Sequence, residues 1–547
     1  LLVPVIFEDR IVERLRTELN EELDATVRFS KVEVSLLSTF PTLTAQVTEP
    51  AIVGKGVFEE TTLFSADSVG AGLDLGALIF DRSIEIESIT VERPVAHLVI
   101  DHEGRANYDI LREDPDGAAD PGEAKGTDEE LSVEIKRYRV SGGTLTYVEP
   151  GVYVRVEGLA HDGRAKLAGS IQRIASETTI DALTARLDGM TYLKEAKTTI
   201  SVDATLDSEE QQLVLRALEL AINQLALDGS GQIGWADEGT DLDLEIASKK
   251  GLPIRALISA IPNAYAADFA GLKGSGAFSI AADVKGQLGP DHDDIPSFSA
   301  TFDVHDGAFK YPDLPLGVSD LHLDVKMKHP GGNLDRMRLD VPKYSVAAGK
   351  SHARGRLTVV RPISRPELEL VLDGQFDAEE MAKAYPIPDV ETLAGLIVIA
   401  IDLASKGDRI EKLNGSIAVS NLRYQAPGSP SVHIRKARVD LSPENTKIQE
   451  LQAQIGESDL SLTGLVSPLT TLWMGDQTVT ASAWLRSKRL RVEDFVSAEE
   501  DEKAEMAAPF TFPENLDANL ELDVGKLTYG DVVLENFKGT GRLRNRK

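Results

Sequence analysis

Beyond Ala25, apolar residues recur at every second position of the chain. Clear cases are Ile84/Ile86, Leu242/Leu244/Ile246, Leu321/Leu323/Val325/Met327, Leu368/Leu370/Leu372, Leu451/Ala453/Ile455 and Leu520/Leu522/Val524. The residues between them are largely Asp, Glu, Lys, Arg, Gln or Ser. Successive side chains of a strand point to opposite faces, so a period of two predicts strands with one apolar and one wet face. Residues 8 to 24 read differently. Ile11, Leu15, Leu19 and Leu23 recur four apart, which predicts an amphipathic helix. Short helical interruptions are expected at about 211–220, 253–264, 378–385 and 492–499.

The strand texture is repetitive. Gly143-Thr-Leu145-Thr-Tyr147, Gly307-Ala-Phe309-Lys-Tyr311, Asn421-Leu422-Arg-Tyr424 and Lys526-Leu527-Thr-Tyr529 share a small or polar residue, an apolar residue and a tyrosine. After Tyr311 and Tyr424 comes a Pro-rich turn and an alternating strand. Each of these copies closes with a strand entering a short helix, at Leu372 to Met381 and at Leu485 to Phe495. Ile246 to Leu257 closes the longer first module in the same way. Self-similarity of this kind marks a modular array. The expected divisions are an anchor remnant with amphipathic helix at 1–25, an N-terminal β module at 26–111, a linker at 112–130, β modules at 131–306, 307–421 and 422–525, and the start of a truncated repeat at 526–547. The linker carries no Leu, Ile, Val or aromatic residue and cannot offset its ordering entropy by burial.

A sheet with one apolar face must cover it. It can pack a second sheet, close into a barrel, or leave a trough filled by something else. Periodicity alone leaves stacked sheets and an open groove both standing.

Composition narrows the choice. The chain has 547 residues, 58 basic against 89 acidic, and a formal net charge of −31. That balance excludes nucleic acid, whose phosphates need clustered Lys and Arg. Cysteine is absent, which removes disulfide frameworks, Cys-based metal sites and thiol nucleophiles. Hydrophobic residues reach 42% but aromatics only 5%. The alternating positions are therefore mostly Leu, Ile, Val and Ala, a ring-poor lining that suits a flexible acyl chain at least as well as an opposing sheet.

Candidate chemistry is sparse. The nine histidines are scattered and no HExxH is present. His161-Asp162-Gly163 and His305-Asp306-Gly307 are expected to be turns in which glycine supplies the positive φ. Asp291, His292, Asp293 and Asp294 sit in a Pro-bracketed loop without metal-site spacing. The Gly271 to Gly276 run leads into a strand, not a helix, and so reads as a loop. Asn107 reads as a turn cap. The four repeat tyrosines read as core or edge residues, with a rim meeting lipid head groups as the alternative. No catalytic residue, metal or cofactor is expected.

The N-terminal third carries an ordered set of motifs. Thr39-Phe40-Pro41-Thr42-Leu43 precedes Val47, Ile52 and Gly54. Then come Phe64 to Val69, Leu73-Asp-Leu75 with Leu78, Ile84 to Ile89, Arg93-Pro94 through Val99, and Gly104-Arg-Ala-Asn107 before the acidic linker. This order resembles the AsmA family of Gram-negative envelope proteins, and the later repeats are similar to the rest of that family. The resemblance implies an inner-membrane protein with one N-terminal transmembrane helix and a large periplasmic body. It also implies kinship with bridge-like lipid transfer proteins. The uncharged stretch Leu1 to Phe7 is then the expected remnant of the membrane anchor, because about 20 apolar residues are needed to span.

The expectations are therefore a mainly β chain with short helices, an elongated, curved antiparallel β-groove of repeated modules with an N-terminal amphipathic helix. Its partners are phospholipid acyl chains, the inner membrane and, by extension, the outer membrane. Groove-lining candidates are Leu242, Leu244, Ile246, Leu321, Leu323, Val325, Leu368, Leu370, Leu372, Leu520, Leu522 and Val524. The rival readings are an assembly factor for outer-membrane proteins and a spacer array that binds no lipid.

Overall fold

The computed structural model describes residues 17, 20, 23–35, 39–59, 61–77, 84–110, 132–236, 239–259, 271–288, 295–312, 315–384, 387, 390–407, 409–467, 478–495 and 516–544. The apolar stretch 1–7, nearly all of the helix expected at 8–24, the linker 112–130 and the Asp291–Asp294 loop lie outside these residues. The chain forms two compact units, Leu1–Ala270 with Ala281–His292, and Gly271–Ile280 with Asp293–Lys547. The architecture is mainly β and mostly antiparallel, with only short helices.

The first unit opens with four bent strand pairs. They are β1 (Ala25–Arg28) and β2 (Lys31–Ser35), β3 (Thr42–Thr48) and β4 (Ala51–Gly54), β5 (Thr62–Ser65) and β6 (Ser68–Asp74), and β7 (Ile84–Glu92) and β8 (Val95–Val99). Two residues separate the members of each pair. At two of these corners Glu49 and Arg93 adopt φ of 52° and 46° ahead of a proline, so the chain swings from one small sheet into another. One small sheet runs β2–β3–β6–β7 and the other β1–β4–β5–β8. Val27, Phe29 and Val32 fill the crook between them, with Leu23, Val47 and Ile52 against them.

Both small sheets join one long strand, β9 (Ser132–Glu149). β7 pairs with its first half and β8 with its second, both in parallel. Parallel neighbours need a crossover connection, and the acidic linker lies in the segment that makes it. From β9 the chain meanders antiparallel through β10 (Val152–Ala168), β11 (Ile171–Leu187), β12 (Met190–Asp207), β13 (Gln212–Ile222), β14 (Leu225–Ala236) and β15 (Gly239–Ser248). The β11–β12 hairpin turns on Asp188-Gly189, with φ of 49° and 78°, the left-handed pair that matches strand twist. After a two-residue β16 (Leu252–Pro253) and a helix at Ile254–Ser259, β17 (Lys273–Leu288) returns to pair with β15 through residues 281–288.

The second unit continues with β18 (Ser297–Lys310), β19 (Val318–His329), β20 (Arg338–Ala348), β21 (Ser351–Val360) and β22 (Glu367–Asp377), then a helix at Ala378–Ala384. Next come β23 (Thr392–Lys406), β24 (Arg409–Gln425), β25 (Val432–Leu441), β26 (Thr446–Ile455), β27 (Ser458–Val466) and β28 (Val479–Arg491). The unit ends with β29 (Leu516–Tyr529) and β30 (Val532–Arg544). Pairing is antiparallel from β18 to β28 and between β29 and β30, while β28 and β29 run parallel. Neither unit closes into a barrel among the described residues, since no pairing joins its first strand to its last.

The expected helix at 211–220 is instead the strand β13. Its leucines suit either period, and hydrogen bonding to β12 and β14 on both sides decides for the strand. The repeat closers do enter short helices, and each docks on the hairpin turn just before its own strand. Glu380 accepts a hydrogen bond from Lys350 N in the β20–β21 turn at 2.6 Å. Asp494, in the short 3-10 turn Val492–Asp494, accepts from Glu457 N and Ser458 N beside the β26–β27 turn, each at 3.0 Å. Ser259 O accepts from Asn223 Nδ2 in the β13–β14 turn at 2.9 Å.

Candidate functional site

Residues directly opposite one another in a sheet share a face, so the strand registers show how far the apolar parity extends. In the first unit one row runs Ile86, Ile135, Ala165, Ile174, Ala204, Leu215, Gly231, Leu244 and Val284, across β7, β9–β15 and β17. In the second unit Phe376, Ile397, Val419, Ala437, Leu451, Leu462, Leu485 and Leu522 form another, from β22 to β29. A parallel row holds Val341, Leu357, Leu370, Leu403 and Leu413. Val304, Leu323, Tyr344, Gly355, Leu372 and Ile401 form a third. Each unit thus carries its own unbroken apolar face.

All twelve residues expected to line a groove fall on these faces, three in the first unit and nine in the second. Most are half-buried, and Ile246 is 41% exposed. Val524 is fully buried and therefore packs rather than lines. The described strands belong to one sheet, and most residues of these rows are half-buried rather than buried, so among the described residues the apolar faces are not sealed. The opposite face is ionic. Arg354 Nε lies 3.1 Å from Asp373 across β21 and β22, and Lys412 Nζ 2.6 Å from Asp402. Pairs this exposed add little stability; they keep that face in water.

The sequence reading missed Ile135, Ile174, Leu215, Leu357, Ile397 and Leu403 as members of the same faces. Their own strands alternate, so the signal was present for most of them. In β9 it is interrupted by a register shift opposite Gly163 and Ala165.

The smaller candidates resolve into structure. His161-Asp162-Gly163 and His305-Asp306-Gly307 lie inside β10 and β18, not in turns, which corrects the expectation. The positive φ at the second site belongs to Asp306, at 50°. Gly163 instead makes room for the Tyr138 ring. Asn107 is buried, accepts from Val99 N at 2.9 Å through Oδ1 and donates through Nδ2 to His97 O at 2.7 Å. The repeat tyrosines sit at or just past strand ends. Tyr147 donates to Glu149 Oε2 at 2.7 Å, and this carboxylate pushes its pKa up to about 12. Tyr147, Tyr311 and Tyr424 are half-buried and Tyr529 is exposed.

One carboxylate cluster has metal-like spacing. Ligand atoms of Asp74, Glu85 and Glu87 lie within 4.8 Å of one another. Lys136 Nζ already answers them, 2.5 Å from Glu87 and 3.0 Å from Glu85, and these bonds raise its pKa. Among the described residues no helix is long and apolar enough to cross a membrane. Comparison of the chain with protein-family models, with curated proteins and with solved structures finds no match.

Proposed function

We propose that this chain is a non-enzymatic lipid conduit of the bacterial envelope, moving phospholipid between inner and outer membranes along the apolar sheet faces. The observation that carries the proposal is the apolar parity unbroken from strand to strand, on faces that stay half-buried among the described residues. Motif order in the N-terminal third supports an AsmA-like protein, anchored in the inner membrane with a periplasmic body. The energetics favour passage over storage. At about 0.8 kcal/mol per buried CH₂, an acyl chain half-covered by the sheet gains on the order of 5 kcal/mol. A row of chemically similar side chains keeps that gain nearly constant along the path.

The test is mass spectrometry of organic extracts of the purified chain, together with the double variant Leu323→Asp/Val325→Asp. The expected results are stoichiometric co-purifying phospholipid and, in a variant with unchanged circular dichroism, loss of lipid transfer between vesicles. Protein free of lipid, or a folded variant that transfers normally, would sink the proposal.

A further inference from the structure

The wet face of β26 to β30 holds a feature that acyl-chain binding does not use. A concavity of about 850 Å³ opens there. Register aligns Leu465, Ser482, Asn519 and Arg542 in one row on this face, and Thr463, Trp484, Glu521 and Thr540 in the next. Five strands at about 4.8 Å spacing make it about 19 Å across, long enough for a short oligosaccharide.

Trp484 is the only ring among these residues and is 43% exposed. Arg486 holds its guanidinium carbon 3.7 Å from the ring centroid, which fixes the indole by a cation–π contact. The rest of the indole borders the concavity. Around it, Thr463, Ser482, Asn519 and Thr540 line the space, and among the described residues none of these side chains has a hydrogen-bond partner. Hydroxyl and amide groups both donate and accept. Charge is nearly balanced: Asp517 engages Arg542 through two bonds of 2.7 and 2.6 Å, and Glu521 offsets Lys447 at the rim. The one guanidinium these acids leave over is Arg486, and it is spread over the indole.

An exposed indole beside unpaired groups that both donate and accept, in a nearly balanced charge setting, matches the chemistry of a sugar ring. A pyranose has an apolar C–H face and a rim of hydroxyls with the same dual capacity. We propose that this concavity binds a neutral saccharide, with the C–H face of one ring against Trp484 and its hydroxyls on Thr463, Ser482, Asn519 and Thr540. The site is independent of the apolar face on the other side of the same strands.

The experiment is isothermal titration of the full chain with cellotetraose, with the N-acetylglucosamine trimer and with inorganic phosphate. It is repeated on Trp484→Ala and Asn519→Ala. Both residues are exposed on the wet face, so circular dichroism should be unchanged. Saturable binding of at least one sugar, weakened tenfold or more in both variants, with no binding of phosphate, is the expected result. Absence of sugar binding, equal binding by folded variants, or phosphate binding tighter than either sugar would each overturn the assignment.

Discussion

Tyr138 lies over Gly163, its direct neighbour across β9 and β10, so closely that a Cβ at Gly163 would sit 2.5 Å from the phenol oxygen. The same ring stacks on His161 with centroids 5.1 Å apart. Replacing Gly163 with valine must displace the ring, at a cost of about 1–3 kcal/mol for overpacking. A lower urea midpoint with an unchanged slope is expected. A wild-type midpoint would show that the ring has room to spare.

His161 makes part of the stability depend on pH. Burial holds its imidazole below the ordinary value, against the opposing pull of the Asp162 carboxylate. The unfolded chain protonates near pH 6.5 while the folded state resists the proton. Its contribution is therefore complete above about pH 6.5 and declines as the pH falls below that. In His161→Gln, the fall in melting temperature between pH 7 and pH 5 should be shallower than in the parent. Equal slopes would place the effect elsewhere.

Lys136 holds the place a cation would take among Asp74, Glu85 and Glu87. Without it, Glu85 and Glu87 face Asp74 with no cation among them, Asp74 alone still accepting from Gly76 N and Ala77 N. Lys136→Ala is expected to melt earlier than the parent and to be restored by millimolar calcium, with the parent indifferent. Thermal melts with calcium and with chelator check this; a variant insensitive to calcium would argue that the carboxylates simply turn to water.

Asn107 substitutes for a missing strand neighbour beside β8, bonding both the Val99 amide and the His97 carbonyl. Asn107→Ala leaves those buried groups unpaired, at about 1–3 kcal/mol. Hydrogen exchange should accelerate at the Val99 amide first. Retained protection there would mean another group takes over.

The fold class was legible because alternation at Leu368, Leu370 and Leu372 survives wherever a strand runs without interruption. It fails where the backbone inserts a residue. In β9 the shift between Ile135 and Tyr138 puts consecutive polar residues where the pattern demands one, and a strand of the apolar face escaped the groove candidates. The repeat before each tyrosine was visible, but its meaning was not. Asp306, just before the Gly307 of its copy, and Asn421 adopt left-handed φ of 50°, so the start of the repeat marks a kink in mid-strand. The surroundings of Trp484 could not be read at all, because Thr463, Glu521 and Thr540 reach it from separate strands through register alone.

The antiparallel meander also fixes how such a sheet can change length. Removing one strand reverses the direction of every strand after it and breaks the pairing. Removing a hairpin, such as β20 with β21, preserves both direction and facial parity. Length therefore comes in steps of two strands, about 10 Å each, and any shortened or lengthened relative made by whole hairpins would keep the same oily and ionic sides.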